Sequence, residues 1–81
     1  MQTRIALIAI IVKDIKASTK VNNILHDFGD YIIGRFGLPY RKKGVNIISV
    51  AVDAPQDKIA AISGKIGMID NVCAKTLYSD C

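Results

Sequence analysis

Two stretches of the chain are apolar on both of their alternating sets of positions. They are Ile5 to Val12 (IALIAIIV) and Val45 to Val52 (VNIISVAV). A strand covered on both faces reads this way. Between them, Ala17, Val21, Ile24, Leu25 and Phe28 recur at a spacing that puts them on one face of a helix. Asp14 is placed to cap that segment, and Gly29 to end it as a left-handed terminator. Tyr31 to Phe36 reads as a further strand, weakened by Gly34 and Gly37. Leu38 to Gly44 then reads as a connection with Pro39 and Gly44 as turn residues. After the second apolar stretch, Asp53 and Gln56 fit a capping-box spacing, and Pro55 suits a first helical turn. Ile59, Ile62 and Ile66 form a helical stripe closed by Gly67, and Val72 to Tyr78 is the last strand.

The order is βαββαβ. It predicts an α+β, ferredoxin-like sandwich: a four-stranded antiparallel sheet with two helices on one face. Right-handed crossovers place the first and third strands, the two continuously apolar ones, at the centre. The edge strands then carry Arg35 and Lys75, as edges tend to.

Both helices of such a fold cover the same face of the sheet, so the other should be wet and polar. Yet Ile5, Leu7, Ala9 and Ile11 alternate with Ala6, Ile8, Ile10 and Val12. In the third strand, Val45, Ile47 and Ala51 oppose Ile48, Val50 and Val52. The bare face is therefore apolar too and needs a cover. A second copy of the chain is the expected one, in a dimer or tetramer, because closed homo-oligomers are the common solution. Ile5, Leu7 and Ile47 are interface candidates, with Ile48 taking the place of Ile47 if the facing is reversed.

Size sharpens this expectation. Eighty-one residues, 51% of them hydrophobic, make a single domain spanning residues 1–81. A chain this short hides only roughly 60% of its unfolded surface. The longest apolar run is far below the ~20 residues that span a bilayer. Lys13, Asp14 and Lys16 follow it where a signal peptide would show a small-residue cleavage pattern. No membrane association and a cytoplasmic location are expected. Cys73 and Cys81 form no C-x-x-C pair and suggest no disulfide framework. Cys73 reads as a small core residue and Cys81 as a frayed end.

Charge singles out one segment. The chain has eleven basic and seven acidic residues, giving a formal charge of +4. Arg35, Arg41, Lys42 and Lys43 all lie in GRFGLPYRKKG, between Gly34 and Gly44, and no acid occurs between Asp30 and Asp53. With Tyr40 these residues offer a contact surface for an acidic protein partner or a ligand; a solvated turn is the bland reading. Nucleic acid is a rival partner, not the favoured one. RNA-recognition domains share the βαββαβ order but stack bases on aromatics of their first and third strands. IALIAIIV and VNIISVAV contain none.

Catalytic chemistry finds no support. A transfer or hydrolytic enzyme needs a nucleophile, a base and an orienting group within reach. The chain has one histidine, His26, pointing away from the apolar stripe of its helix, and no glutamate. The seven aspartates are scattered near element ends, where caps and turns explain them. No Gly-rich phosphate loop occurs. His26, Cys73 and Cys81 lack metal-ligand spacing. No catalytic residue, metal or cofactor is expected.

Two longer segments carry a family resemblance. IVKDIKASTKVNNILHDFGDYIIGRFGLPYRKKGVNIISVAVD and ISGKIGMIDNV resemble the iron-only hydrogenase system regulators. These are small ACT-like, ferredoxin-fold proteins, similar in plan to the C-terminal sensor domain of the nickel-responsive repressor. The resemblance implies a non-enzymatic, oligomeric regulatory module that senses a small-molecule effector or a partner. It does not transfer a ligand. The glycine that amino-acid-binding ACT domains carry after the first strand is missing from Lys13-Asp14-Ile15-Lys16, and the nickel sensor's clustered histidines are absent. The chain as read shows no ribbon-helix-helix or helix-turn-helix segment, so a direct repressor role lacks its usual DNA-reading element.

Overall fold

A computed structural model of the chain describes residues 2–80. Four strands, β1 (Arg4–Val12), β2 (Ile32–Tyr40), β3 (Val45–Ala54) and β4 (Val72–Tyr78), and two helices, α1 (Ser18–Asp27) and α2 (Gln56–Gly67), follow one another as β1-α1-β2-β3-α2-β4. The sheet order is β2-β3-β1-β4, with every neighbouring pair antiparallel. The two strands apolar on both faces are the central ones, and Arg35 and Lys75 sit on the edges. The expected four-stranded α+β fold is the one observed.

The core lies between the helices and one face of the sheet. Ala6, Ile8, Ile10 and Val12 of β1 and Ile48, Val50, Val52 and Ala54 of β3 form its floor. Val21 and Leu25 of α1 and Ile59, Ile62 and Ile66 of α2 close it from above. Burying each large aliphatic side chain stabilises the fold by about 1.5–3 kcal/mol.

Local details depart from the sequence reading in several places. Asp14 does cap, but it caps a short 3-10 turn, Ile15–Ala17, where its carboxylate accepts the Lys16 N–H at 3.0 Å. Gly29 is not left-handed: α1 ends at Phe28, and Gly29 opens another 3-10 turn that leads directly into β2. No capping box forms at Asp53. Pro55 is the N-cap of α2 without a side-chain hydrogen bond, and Asp53 is still in β3. The Gln56 side chain turns sideways instead, donating to the Tyr78 hydroxyl at 2.8 Å and accepting from Arg4.

The largest correction concerns β2, which runs on to Tyr40 and includes Pro39. An edge strand tolerates proline because one side of its backbone needs no partner. The turn is therefore only Arg41–Lys43, a 3-10 turn closed by Gly44 at φ 66. That left-handed conformation favours glycine. Asn71 adopts the same φ of 66 ahead of β4, and its carbonyl accepts the Lys13 N–H at 2.7 Å. Asparagine tolerates this region better than most residues. Cys73 is exposed, not a core residue; it alternates with buried Val72 and so points to the opposite side of β4. Cys81 lies outside the described residues. No helix among those described is long and apolar enough to cross a membrane.

Candidate functional site

The face of the sheet opposite the helices follows from the pairing register. Leu38, Ile47, Ile11 and Cys73 form one row across the four strands, and Gly34, Ala51, Leu7 and Leu77 another. Between them runs Phe36, Ser49, Ala9 and Lys75. A bulge between Ile32 and Gly34 sets this phase for β2. It brings Phe36, Leu38 and Tyr40 onto the open side opposite Ser49, Ile47 and Val45. Most of the large hydrophobic side chains exposed on the molecule lie here, with Phe36 57% and Ile5 51% accessible. Of the interface candidates, Ile5, Leu7 and Ile47 are on this face. Ile48 is not: it is 5% exposed and belongs to the core under the helices.

The basic segment does not stay together. Arg41, Lys42 and Lys43 occupy the exposed turn at the tip of the β2–β3 hairpin. Tyr40 points to the open face, paired with Val45. Arg35 sits on the helix side of β2, opposite Val50, and its guanidinium donates to the side-chain oxygen of Asn22 on α1. Five residues of extended strand span about 16 Å, so Arg35 and the tip are separate features. Among the described residues the tip cations take part in no ion pair; the one found joins Arg4 and Asp80 at 2.9 Å. Arg4 also lies over the Tyr78 ring, 4.1 Å from its centroid.

Two of the hollows among the described residues bear on chemistry. One, of about 210 Å³, lies between α1 and β2 and is lined by Ser18, Asn22, Arg35, Gly37, Asn46 and Ile48, among others. In it Asn46, half-buried, donates to the Ser18 hydroxyl at 2.6 Å. The other, of about 340 Å³, lies where the β1–α1 and α2–β4 connections meet, and its Asp14 and Asp70 offset Lys16 and Lys20. Sequence reading missed the first hollow. Its one signal is Asn46, a polar interruption at an inner position of an otherwise apolar strand. His26 is exposed on α1. Among the described residues no three His, Cys, Asp or Glu side chains converge as metal ligands would.

Comparisons with known proteins bear on this arrangement. A family model described as "TM1266-like: Iron-only hydrogenase system regulator, putative" matches residues 4–76. The solved structure of the uncharacterised protein TM1266 from Thermotoga maritima superposes with a TM-score of 0.93 at 37% identity, over 96% of this chain and 99% of that one. A formyltetrahydrofolate deformylase from Pseudomonas putida KT2440 matches at a TM-score of 0.65 and 13% identity, over 90% of this chain but 28% of that one. That likeness is one of fold alone. No curated protein matches the chain.

Proposed function

The chain belongs to the TM1266-like family, described as regulators of the iron-only hydrogenase system, and on that premise we propose that it is a non-enzymatic regulatory module working as a homo-oligomer. The observation that carries this reading is the open sheet face. Ile5, Leu7, Ile11, Phe36, Leu38, Tyr40 and Leu77 are exposed on it side by side. Scattered apolar residues on a surface need no explanation, but a contiguous patch marks a contact site. A second copy is the occupant best suited to this face. The patch spans all four strands, as the inner face of a sheet-on-sheet sandwich does. Its few charges, Asp53 of β3 and Lys75 of β4, are of opposite sign, so two identical faces related by a two-fold axis carry no net like-charge repulsion. Regulation is then transmitted through the assembled sheets. The test is the mass of the protein in solution, with and without a charge placed at Leu7 or Ile47.

The tip of the β2–β3 hairpin supports a subsidiary reading. Three adjacent cations, in no ion pair among the described residues, make a contact surface for an acidic protein partner. Solvated Lys and Arg cost the fold little, so the charge is free to serve a partner. Nucleic acid is the alternative, distinguished by a log–log salt dependence that tracks the number of phosphates contacted.

A further inference from the structure

The hollow between α1 and β2 is left empty by the chain's own choice of residues. On the helix side, β2 presents Arg35, Gly37 and Pro39, opposite Val50, Ile48 and Asn46 of β3. Gly37 offers no side chain, and a Cβ placed there would meet no atom within 4 Å. Asn46 stands where the inner face of β3 is otherwise Ile48, Val50 and Val52. Fold stability alone favours an apolar side chain at 46, a half-buried position paired with buried Val12. Instead a polar set lines the gap, with Asn46 half-buried and Arg35 and Asn22 exposed. Arg35 is oriented by Asn22, and Asn46 is tied to Ser18 at 2.6 Å.

We propose that this hollow binds a small organic carboxylate. Arg35 supplies a planar fork that matches a carboxylate, and most of its N–H donors remain after the bond to Asn22. The amide N–H groups of Asn22 and Asn46 add neutral donors beside it. Ile48 and Pro39 provide an apolar wall for a short aliphatic tail. Among the described residues no acidic side chain lines the hollow, so an ammonium group would find only neutral oxygens, of Asn22, Asn46 and Ser18, and no charge to pair with. A simple or 2-oxo carboxylate therefore fits better than an amino acid. At about 210 Å³ the space is below the usual range for drug-sized ligands, roughly 300–1,000 Å³, and suits a compact molecule. Leu38 contributes to the wall of the hollow while pairing with Ile47 in the open-face row. Occupancy therefore bears on the strand that helps form the oligomer surface. As a binding site the hollow stands by itself; as an effector site it rests on the regulatory reading above.

The test is an NMR titration of the ¹⁵N-labelled chain with sodium acetate, butyrate, pyruvate and inorganic phosphate, against sodium chloride at matched ionic strength. The expected result is saturable shifts at the amides of Ser18, Asn22, Gly37 and Asn46 for at least one carboxylate and none for chloride. Arg35→Gln should weaken binding by about tenfold or more, as the loss of a charge-assisted contact does. Gly37→Val should narrow the hollow and weaken the shifts while keeping a dispersed spectrum. The proposal is overturned if none of the three carboxylates saturates, if Arg35→Gln binds like the wild type, or if inorganic phosphate occupies the same amides more tightly than every carboxylate. Sedimentation of the same samples reads the oligomer separately, so a failed regulatory reading leaves the binding result intact, and the reverse.

Discussion

Leu7 and Ile8 are neighbours in β1 and nearly equivalent in chemistry, yet Ile8 is fully buried and Leu7 is 42% exposed. Ile47 and Ile48 of β3 divide the same way, with Ile48 in the core and Ile47 on the open side. One face of the sheet has two helices over it and the other has nothing, although the side chains on both were chosen as if for an interior. Hydrophobic composition thus does not distinguish the two faces, whereas connectivity does. The helices cover one face within the described chain, and the other is left exposed; that a second copy covers it is the proposal tested below.

The comparison is broken or sharpened most strongly in β1. Ile8→Ala leaves a cavity under the helices and should cost about 2–5 kcal/mol in a urea melt. Leu7→Ala, measured at concentrations where the chain is monomeric, should cost well under half as much, since solvent replaces no packed neighbour. Equal losses would mean that the two faces are equally buried within one chain.

Cys73 offers a chemical probe of the same face, because it sits in the row with Leu38, Ile47 and Ile11. In a Cys81→Ser background, iodoacetamide should alkylate Cys73 slowly in the assembled protein and quickly once Leu7→Lys has dispersed it. Equal rates in the two would place the interface elsewhere.

A smaller effect is expected at the hairpin tip. Changing Arg41, Lys42 and Lys43 together to Ser should leave the melting curve nearly unchanged. If the partner is duplex DNA, the log–log salt slope should flatten by roughly 2.7, at about 0.9 per lost phosphate contact. If it is a protein, association should slow, and added salt should mask the difference. Smallest of all is His26→Ala, on the solvent side of α1. It should change stability by less than ~0.5 kcal/mol; a loss above ~2 kcal/mol would assign His26 a structural role it does not show here.

The elements and the sheet order were legible in the residues, because the period of the apolar positions and the handedness of crossovers leave few alternatives. The bareness of one face was legible for the same reason. The facing of Ile47 against Ile48 was not, since both alternating sets in β3 are apolar and only the assembled register separates them. The extent of β2 is not legible, because Gly34, Gly37 and Pro39 act as breakers locally, whereas pairing with β3 overrides them on an edge. The split of the basic segment is hidden with it. Once the strand reaches Tyr40, Arg35 and Tyr40 fall on opposite faces by parity alone. The hollow beside Arg35 was hardest to see, because it is made by what Gly37 lacks and by two helix residues, Ser18 and Asn22, that meet β2 and β3 only in the folded chain.

The central claim is that a second copy of the chain covers the open face, and sedimentation equilibrium tests it most directly. At micromolar concentration the wild type should have the mass of a dimer or tetramer. Leu7→Lys and Ile47→Lys should each sediment as folded monomers, because an unpaired charge in a dry interface costs several kcal/mol while on an exposed face it costs little. A wild type that is monomeric at that concentration, or lysine variants that keep the full oligomer mass, would contradict the account.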